Sequence, residues 1–211
     1  MRKRIGIFGG TFDPIHIGHL RIALEIKQQL QLDEMHLLPC YLPPHRPTPG
    51  ASAIQRVDML EIALQGCTEL RIDKRELQRD KPSYTYDTLH ELRAEVGEQT
   101  SLCLCMGMDS FATLDTWHNW DQLLQLAHIV VVARPGWFLP ESGAVADLLQ
   151  SYRADSSVIS QQAAGAIVLL EQRLLPISAT DIRAQICAGH SPQFLVPDEV
   201  WNYIRSNGLY R

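Results

Sequence analysis

Six short apolar runs, separated by stretches with helical spacing, dictate what this 211-residue chain can fold into. The runs lie at residues 5–8, 35–38, 70–72, 102–106, 128–133 and 167–170, the third being weak. Between them, Ile17, Leu20, Ala23, Leu24 and Leu30 recur on one side of a helix. Ser52 with Gln55 has the form of a capping box opening a helix to Leu64. Thr85 stands where a cap would open a helix carrying Leu89, Leu92 and Val96, closed by Gly97. Strands alternating with helices in this way predict an α/β fold, a Rossmann-like doubly wound parallel sheet with helices on both faces. With 45% hydrophobic residues the chain can bury a full core as one domain over residues 1–211, with a small helical part at about 178–211.

Ligands of open α/β sheets bind beyond the carboxyl ends of the strands, so the residues there are the functional candidates. Residues 9–19 follow the first run, His45 and Arg46 the second, Gly107 and Asp109 the fourth, Arg134 the fifth, and residues 177–183 the last. The topology expects these five clusters to converge on one rim. The first reads Gly-Gly-Thr-Phe-Asp-Pro-Ile-His-Ile-Gly-His, a glycine turn and two histidines three apart. Glycine lets backbone approach a polyanion, and Gly18 offers a flat surface for a base. His16 and His19 share a helix face, and two imidazoles aimed at one small volume suit charge stabilisation on a phosphoryl group.

A lone histidine at a helix start is more often a cap or a core residue, and a zinc site is the other competitor. Catalytic zinc takes about three protein ligands, and neither a Glu between the histidines nor a nearby Cys is present. The dinucleotide fingerprint Gly-x-Gly-x-x-Gly is also missing from this stretch. In the last cluster, Ser178 with Asp181 matches a capping box at a helix start, where free N–H groups favour anions. Arg183 sits in the first turns of that helix, a position mildly unfavourable for a cation unless a polyphosphate is bound.

A net charge of -5 argues against a general nucleic-acid binder. Five cysteines with no Cys-x-x-Cys pair make a disulfide framework or zinc knuckle a poor reading, which points to a reducing cytoplasm. The apolar run after Met1-Arg2-Lys3-Arg4 stops at Gly9, too soon for an export signal. The longest apolar stretches fall far short of the roughly 20 residues of a membrane span. Neither repeats nor low-complexity tracts are visible.

Taken in one register, Gly9, Gly10, Thr11, Phe12, His16, Gly18 and His19 resemble the nucleotidyltransferase superfamily whose signature is Gly-Thr-Phe-Asp-Pro followed by His-x-Gly-His. Ile177-Ser178-Ala179-Thr180-Asp181-Ile182-Arg183 is similar to its second signature, Ile-Ser-x-Thr-x-Ile-Arg. Lys81-Pro82-Ser83-Tyr84-Thr85, Gly107-Met108-Asp109-Ser110, Thr116-Trp117 and Arg134-Pro135-Gly136 look like the bacterial nicotinate-nucleotide adenylyltransferases. That resemblance runs from Ile5 to Gly208-Leu209-Tyr210. It implies transfer of the adenylyl group of ATP to nicotinate mononucleotide in NAD biosynthesis, with Mg²⁺ as the usual metal. It implies His16, His19 and Arg183 as catalytic groups. Gly9, Gly10, Thr11, Phe12, Gly18, Gly107, Asp109, Ile177, Ser178 and Thr180 would complete an ATP site in which Asp109 holds the ribose.

The implied acceptor site comprises His45, Arg46, Thr85, Trp117 and Arg134, and each has a physical rationale. Trp117 can stack on a flat cationic pyridinium. The helix start at Thr85 offers N–H groups to a carboxylate. Arg46 and Arg134, with His45 nearby, can meet a phosphate. The chain departs from the family where Cys40-Tyr41 stands in place of a frequent Asn. Metal ligands are left unassigned, Asp13 and Asp109 being the nearby carboxylates, and whether the chain forms a homo-oligomer is left open. Residues 43–49 read equally as a lid or as a stiff connector. A phosphopantetheine adenylyltransferase, a cytidylyltransferase, a non-catalytic nucleotide sensor and a tRNA-handling relative are the competing readings. Ser83-Tyr84-Thr85 with Thr116-Trp117, the second signature, the intact histidines and the acidic balance weigh against them in turn.

Overall fold

Strands form where consecutive apolar residues can be buried on both faces of a parallel sheet, which removes the alternation a half-exposed strand would show. The computed structural model describes residues 2–42, 49–79, 82–133, 139–172 and 175–211. Its strands are β1 Arg4–Gly10, β2 Glu34–Pro39, β3 Arg71–Ile72, β4 Ser101–Gly107, β5 His128–Ala133 and β6 Ile167–Glu171. They form one six-stranded sheet in the order β3-β2-β1-β4-β5-β6. Parallel register pairs Ile5 with Leu102, Leu104 with Ile129 and Ile129 with Ile167. In β4 and β5 the side chains from Ser101 to Met106 and from His128 to Val132 are all buried.

The helices are α1 Ile17–Gln29, α2 Ala53–Ala63, α3 Thr85–Val96, α4 Met108–Phe111, α5 Leu123–Leu126, α6 Ala144–Tyr152, α7 Val158–Gln161, α8 Ala179–Cys187 and α9 Asp198–Ser206. The strand order, which reverses between β1 and β4, is that of a doubly wound α/β sheet with helices on both faces. The expected box at α2 is present: Ser52 Oγ accepts from the Gln55 N–H at 3.2 Å, and Gln55 Oε1 accepts from the Ser52 N–H at 3.0 Å. Gly97 closes α3 in a left-handed conformation, φ 74°. Thr85, however, does not cap α3. It is the first helical residue, and Tyr84 holds the cap position with no side-chain cap bond.

The chain divides into two compact units. One comprises Met1–Gly9, Glu25–His36 and Tyr84–Arg173, the other Gly10–Leu24, Leu37–Ser83 and Leu174–Arg211. In the first, Ile5, Ile7, Leu102, Ile129, Val131 and Phe111 are buried. Arg93 ties its loops together, donating to the carbonyls of Leu126, Thr100 and Ala163 at 2.6–3.0 Å. In the second, Phe12, Ile15, Met59, Leu60, Ile182, Val200 and Ile204 form the core. There α2 and α9 are joined by Tyr203 Oη, which donates to Asp58 Oδ2 at 2.7 Å. Among the described residues no helix is long and apolar enough to cross a membrane.

Candidate active site

The structure corrects the expected glycine turn. Gly9 and Gly10 continue β1, and the left-handed residue that turns the chain is Phe12, φ 50°. A bulky residue holds that conformation only when its surroundings fix it. Phe12 is buried, and its ring lies so near Gly10 that a Cβ there would meet Cε1 at 2.9 Å. Glycine at position 10 therefore makes room for the Phe12 ring. A Cβ on Gly9 would meet nothing described within 4 Å.

The Phe12 ring in turn braces His19 edge-on, with centroids 5.2 Å apart at 85°. His19 stacks on His16 at 3.6 Å and 20°, so the two imidazoles do lie together. The His19 N–H donates to His16 Nδ1 at 3.3 Å. His16 is 4% exposed, and burial pushes its pKa down to about 4, so the ring is neutral at pH 7. With Nδ1 accepting, the proton of the neutral ring resides on Nε2, which makes His16 a hydrogen-bond donor and not a cation. Gly18 is shaped to this arrangement. A Cβ on it would come 3.0 Å from His16 Nδ1 and 3.5 Å from Ile177 Cβ, so the two sequence signatures meet at this glycine.

Ser178 caps α8, its hydroxyl accepting from the Asp181 N–H at 3.1 Å. This leaves a helix start whose first N–H groups lack intrahelical acceptors. Arg183 projects from the first turns of α8, where Nη1 donates to the Asp13 carbonyl at 2.7 Å and Nη2 to Thr180 Oγ1 at 3.4 Å. Thr11, Phe12, His16, Gly18, His19, Ile177, Ser178, Thr180 and Arg183 all belong to one compact unit.

Sequence reasoning missed what holds that cluster. Asp13 is only 5% exposed, and its carboxylate accepts from the Gly50 N–H at 2.8 Å, the Ala51 N–H at 3.1 Å and Tyr210 Oη at 2.7 Å. Its oxygens thus hold backbone and side chain from three distant segments together. Arg56, 1% exposed, donates to the carbonyls of Thr11 at 2.6 Å and Tyr41 at 3.1 Å. Burial draws the Arg56 pKa down, and the neighbouring Cys40, Asp13 and Tyr210 oppose that shift. Two guanidiniums against one buried carboxylate leave the cluster locally cationic, as a polyphosphate site requires. A signal for Arg56 does exist in the sequence: at helical spacing it shares a face with Met59 and Leu60, which are buried. Tyr210 and Gly50 carry no local pattern that could have found them.

In the other unit, Gly9 and Gly107 sit near the carboxyl ends of the paired strands β1 and β4. Gly107 is the N-cap of α4 and Asp109 is exposed in its first turn. Thr85 opens α3 beside Tyr84, whose ring lies 4.6 Å from that of His118, next to the half-buried Trp117. The starts of two segments expected to meet the acceptor are thus neighbours. Cys40, half-buried, donates its N–H to the Gly10 carbonyl at 3.0 Å. His45, Arg46 and Arg134, with the lid or connector at residues 43–49 save its last residue, lie outside the described residues. Among the described residues no group of three or more His, Cys, Asp or Glu side chains could hold a metal ion.

Comparison with known proteins gives this geometry a family. A family model described as cytidylyltransferase-like matches residues 7–185. The protein named "Probable nicotinate-nucleotide adenylyltransferase" of Cellvibrio japonicus is 61% identical over 211 residues, covering all of both chains. Its namesake from Pseudomonas aeruginosa is 49% identical over all of this chain and 99% of its own. The fold matches nicotinic acid mononucleotide adenylyltransferase of Plasmodium falciparum, solved in complex with NaAD, with a TM-score of 0.73 and 18% identity over 99% of this chain and 98% of that one. The same enzyme complexed with APC gives a TM-score of 0.72. By its sequence, its strand order and its full-length relatives, the chain belongs to the nicotinate-nucleotide adenylyltransferases of the cytidylyltransferase-like family.

Proposed function

We propose that this chain transfers the adenylyl group of ATP to nicotinate mononucleotide, giving nicotinate adenine dinucleotide and pyrophosphate, a step of NAD biosynthesis. The observation that carries the reading is the stacked His16–His19 pair held in one unit with Arg183 and the start of α8. The attacking phosphate oxygen is already an anion at neutral pH, so a general base has little to do. Catalysis then rests on positioning and on charge stabilisation during in-line displacement at the α-phosphorus. His16, neutral with its proton on Nε2, and His19 donate to the α-phosphate and bridging oxygens. Arg183, Ser178, Thr180 and the first N–H groups of α8 hold the departing phosphates, with Gly9, Gly10, Thr11, Phe12, Gly18 and Ile177 shaping the backbone around the nucleotide. A divalent cation, Mg²⁺ in this proposal, would bind through the triphosphate and its own waters, neutralising charge on the leaving group.

Gly107 and Asp109 are assigned to the adenosine ribose, and Trp117 to stacking on the pyridinium. The helix start at Thr85 is assigned to the nicotinate carboxylate, a role that needs only the free N–H groups of α3 and no Thr85 cap. Arg46, Arg134 and His45 are assigned to the acceptor phosphate on the sequence alone. The family match spans residues of both units, which supports retaining one nucleotidyltransferase domain over residues 1–211. Five cysteines with no Cys-x-x-Cys pair and a net charge of -5 fit a cytoplasmic enzyme of small molecules, without nucleic-acid or membrane partners.

The test supplies ATP and Mg²⁺ with nicotinate mononucleotide, nicotinamide mononucleotide or phosphopantetheine in turn, and measures pyrophosphate release. Turnover should be fastest with nicotinate mononucleotide. Faster turnover with either alternative would overturn the acceptor, and none with any would leave a nucleotide sensor.

A further inference from the structure

We propose that Tyr210 is a positioning residue for adenylyl transfer, acting through Asp13 on Arg183; the inference rests on the role given to Arg183 above. Tyr210 lies 197 residues from Asp13 in sequence, yet its phenol donates to Asp13 Oδ1 at 2.7 Å. Asp13 also receives Gly50 and Ala51 at the entry to α2, and its carbonyl accepts from Arg183 Nη1. One residue therefore fixes the segment between the Phe12 turn and the His16–His19 pair, and fixes the arginine. The Tyr210 backbone is left-handed, φ 65°, a conformation a bulky residue keeps only when its side chain is anchored. Its ring packs so closely on Gly50 that a Cβ there would meet Cδ1 at 3.0 Å and Arg183 Cδ at 3.7 Å. Burial and the adjacent Asp13 carboxylate raise the Tyr210 pKa, so the phenol remains protonated and donating throughout the range in which the enzyme can work. Tyr210 and the Ala51 N–H both bond Asp13 Oδ1, while Oδ2, which takes the Gly50 N–H, lies 3.9 Å from Arg183 Nη1, a longer separation than a hydrogen-bonded ion pair. The guanidinium is thus held chiefly through the Asp13 carbonyl, in a fixed place from which it can meet a phosphate.

The experiment compares Tyr210→Phe in the wild-type and Arg183→Ala backgrounds, with Tyr203→Phe as a matched hydroxyl deletion at the Asp58 bond. Pyrophosphate release gives kcat and KM, and thermal melting fixes a temperature at which every variant is folded. Tyr210→Phe should lower kcat about 10-fold, with the acceptor KM changed less than about two-fold, and should have less than about two-fold effect once Arg183 is gone. Gly50→Ala, which displaces the ring and keeps the phenol, should reproduce the kcat loss, while Tyr203→Phe should not. An equal loss in both backgrounds, a loss matched by Tyr203→Phe, or no loss in Tyr210→Phe overturns the inference. Should Arg183→Ala itself leave kcat unchanged, the role of Arg183 falls first and takes that of Tyr210 with it, an outcome separate from the others.

Discussion

Gly18→Ala separates geometry from stability at the centre of the site. Its new Cβ would lie 3.0 Å from His16 Nδ1 and 3.1 Å from Cε1. Ordinary contact is about 3.5–4.0 Å, so the ring must retreat by about 0.5 Å. His16 cannot do this alone, because it stacks on His19 at 3.6 Å and His19 is braced by Phe12. Both imidazoles move together. Catalytic groups must be held within about 0.5 Å and a misplacement of about 1 Å costs about 10²-fold, which puts the expected loss in kcat at about 10- to 100-fold, or about 1.4–2.7 kcal/mol in the barrier. Stability should move little, since alanine in place of a helical glycine gains up to about 1 kcal/mol and offsets the crowding. Pyrophosphate release at saturating ATP and nicotinate mononucleotide, with a thermal melt, reads both quantities. A kcat within two-fold of wild type would refute the reasoning, as would a melting temperature lowered by more than about 8 °C alongside the activity.

Three further outcomes follow from the same geometry. His19→Ala should lower kcat by about 10²-fold or more, as loss of a preorganised donor does, and an unchanged kcat in the same assay removes it from the mechanism. Burial lowers the His16 pKa from 6.5 to about 4, so as pH falls the unfolded chain takes up a proton before the folded one does. Stability on this account is complete above pH 6.5 and is lost towards pH 4, by up to about 3 kcal/mol. His16→Gln should flatten that dependence by one proton in urea melts between pH 7 and 4.5, and an identical slope contradicts a buried neutral ring. Asp13→Asn replaces a buried acceptor of two N–H groups and a phenol, and should cost about 2–4 kcal/mol in calorimetric stability.

The strands at residues 102–106 and 128–133 were legible because burial on both faces writes itself as an unbroken apolar run. Their ends were less so. Gly10 and Gly107 extend β1 and β4 through backbone alone, and no side-chain pattern marks that. Helix α6 carries no start signal in the sequence, since it opens after Gly143 with no side-chain cap. At the site, the histidines and Arg183 stand in short motifs whose spacing can be read locally. The hub beneath them joins Asp13 to partners 37, 170 and 197 residues away, a pattern that no window along the chain contains. The turn is illegible for a related reason: the sequence signal for a left-handed residue is glycine, whereas Phe12 holds that conformation through tertiary packing.

A crystal of this protein soaked with a non-hydrolysable ATP analogue and Mg²⁺ tests most directly whether one triphosphate engages both signatures. Nε2 of His16 or His19 should lie within hydrogen-bond reach of the α-phosphate, and the Arg183 guanidinium should reach the phosphates that leave. A triphosphate bound with neither histidine nor Arg183 in contact would contradict the account.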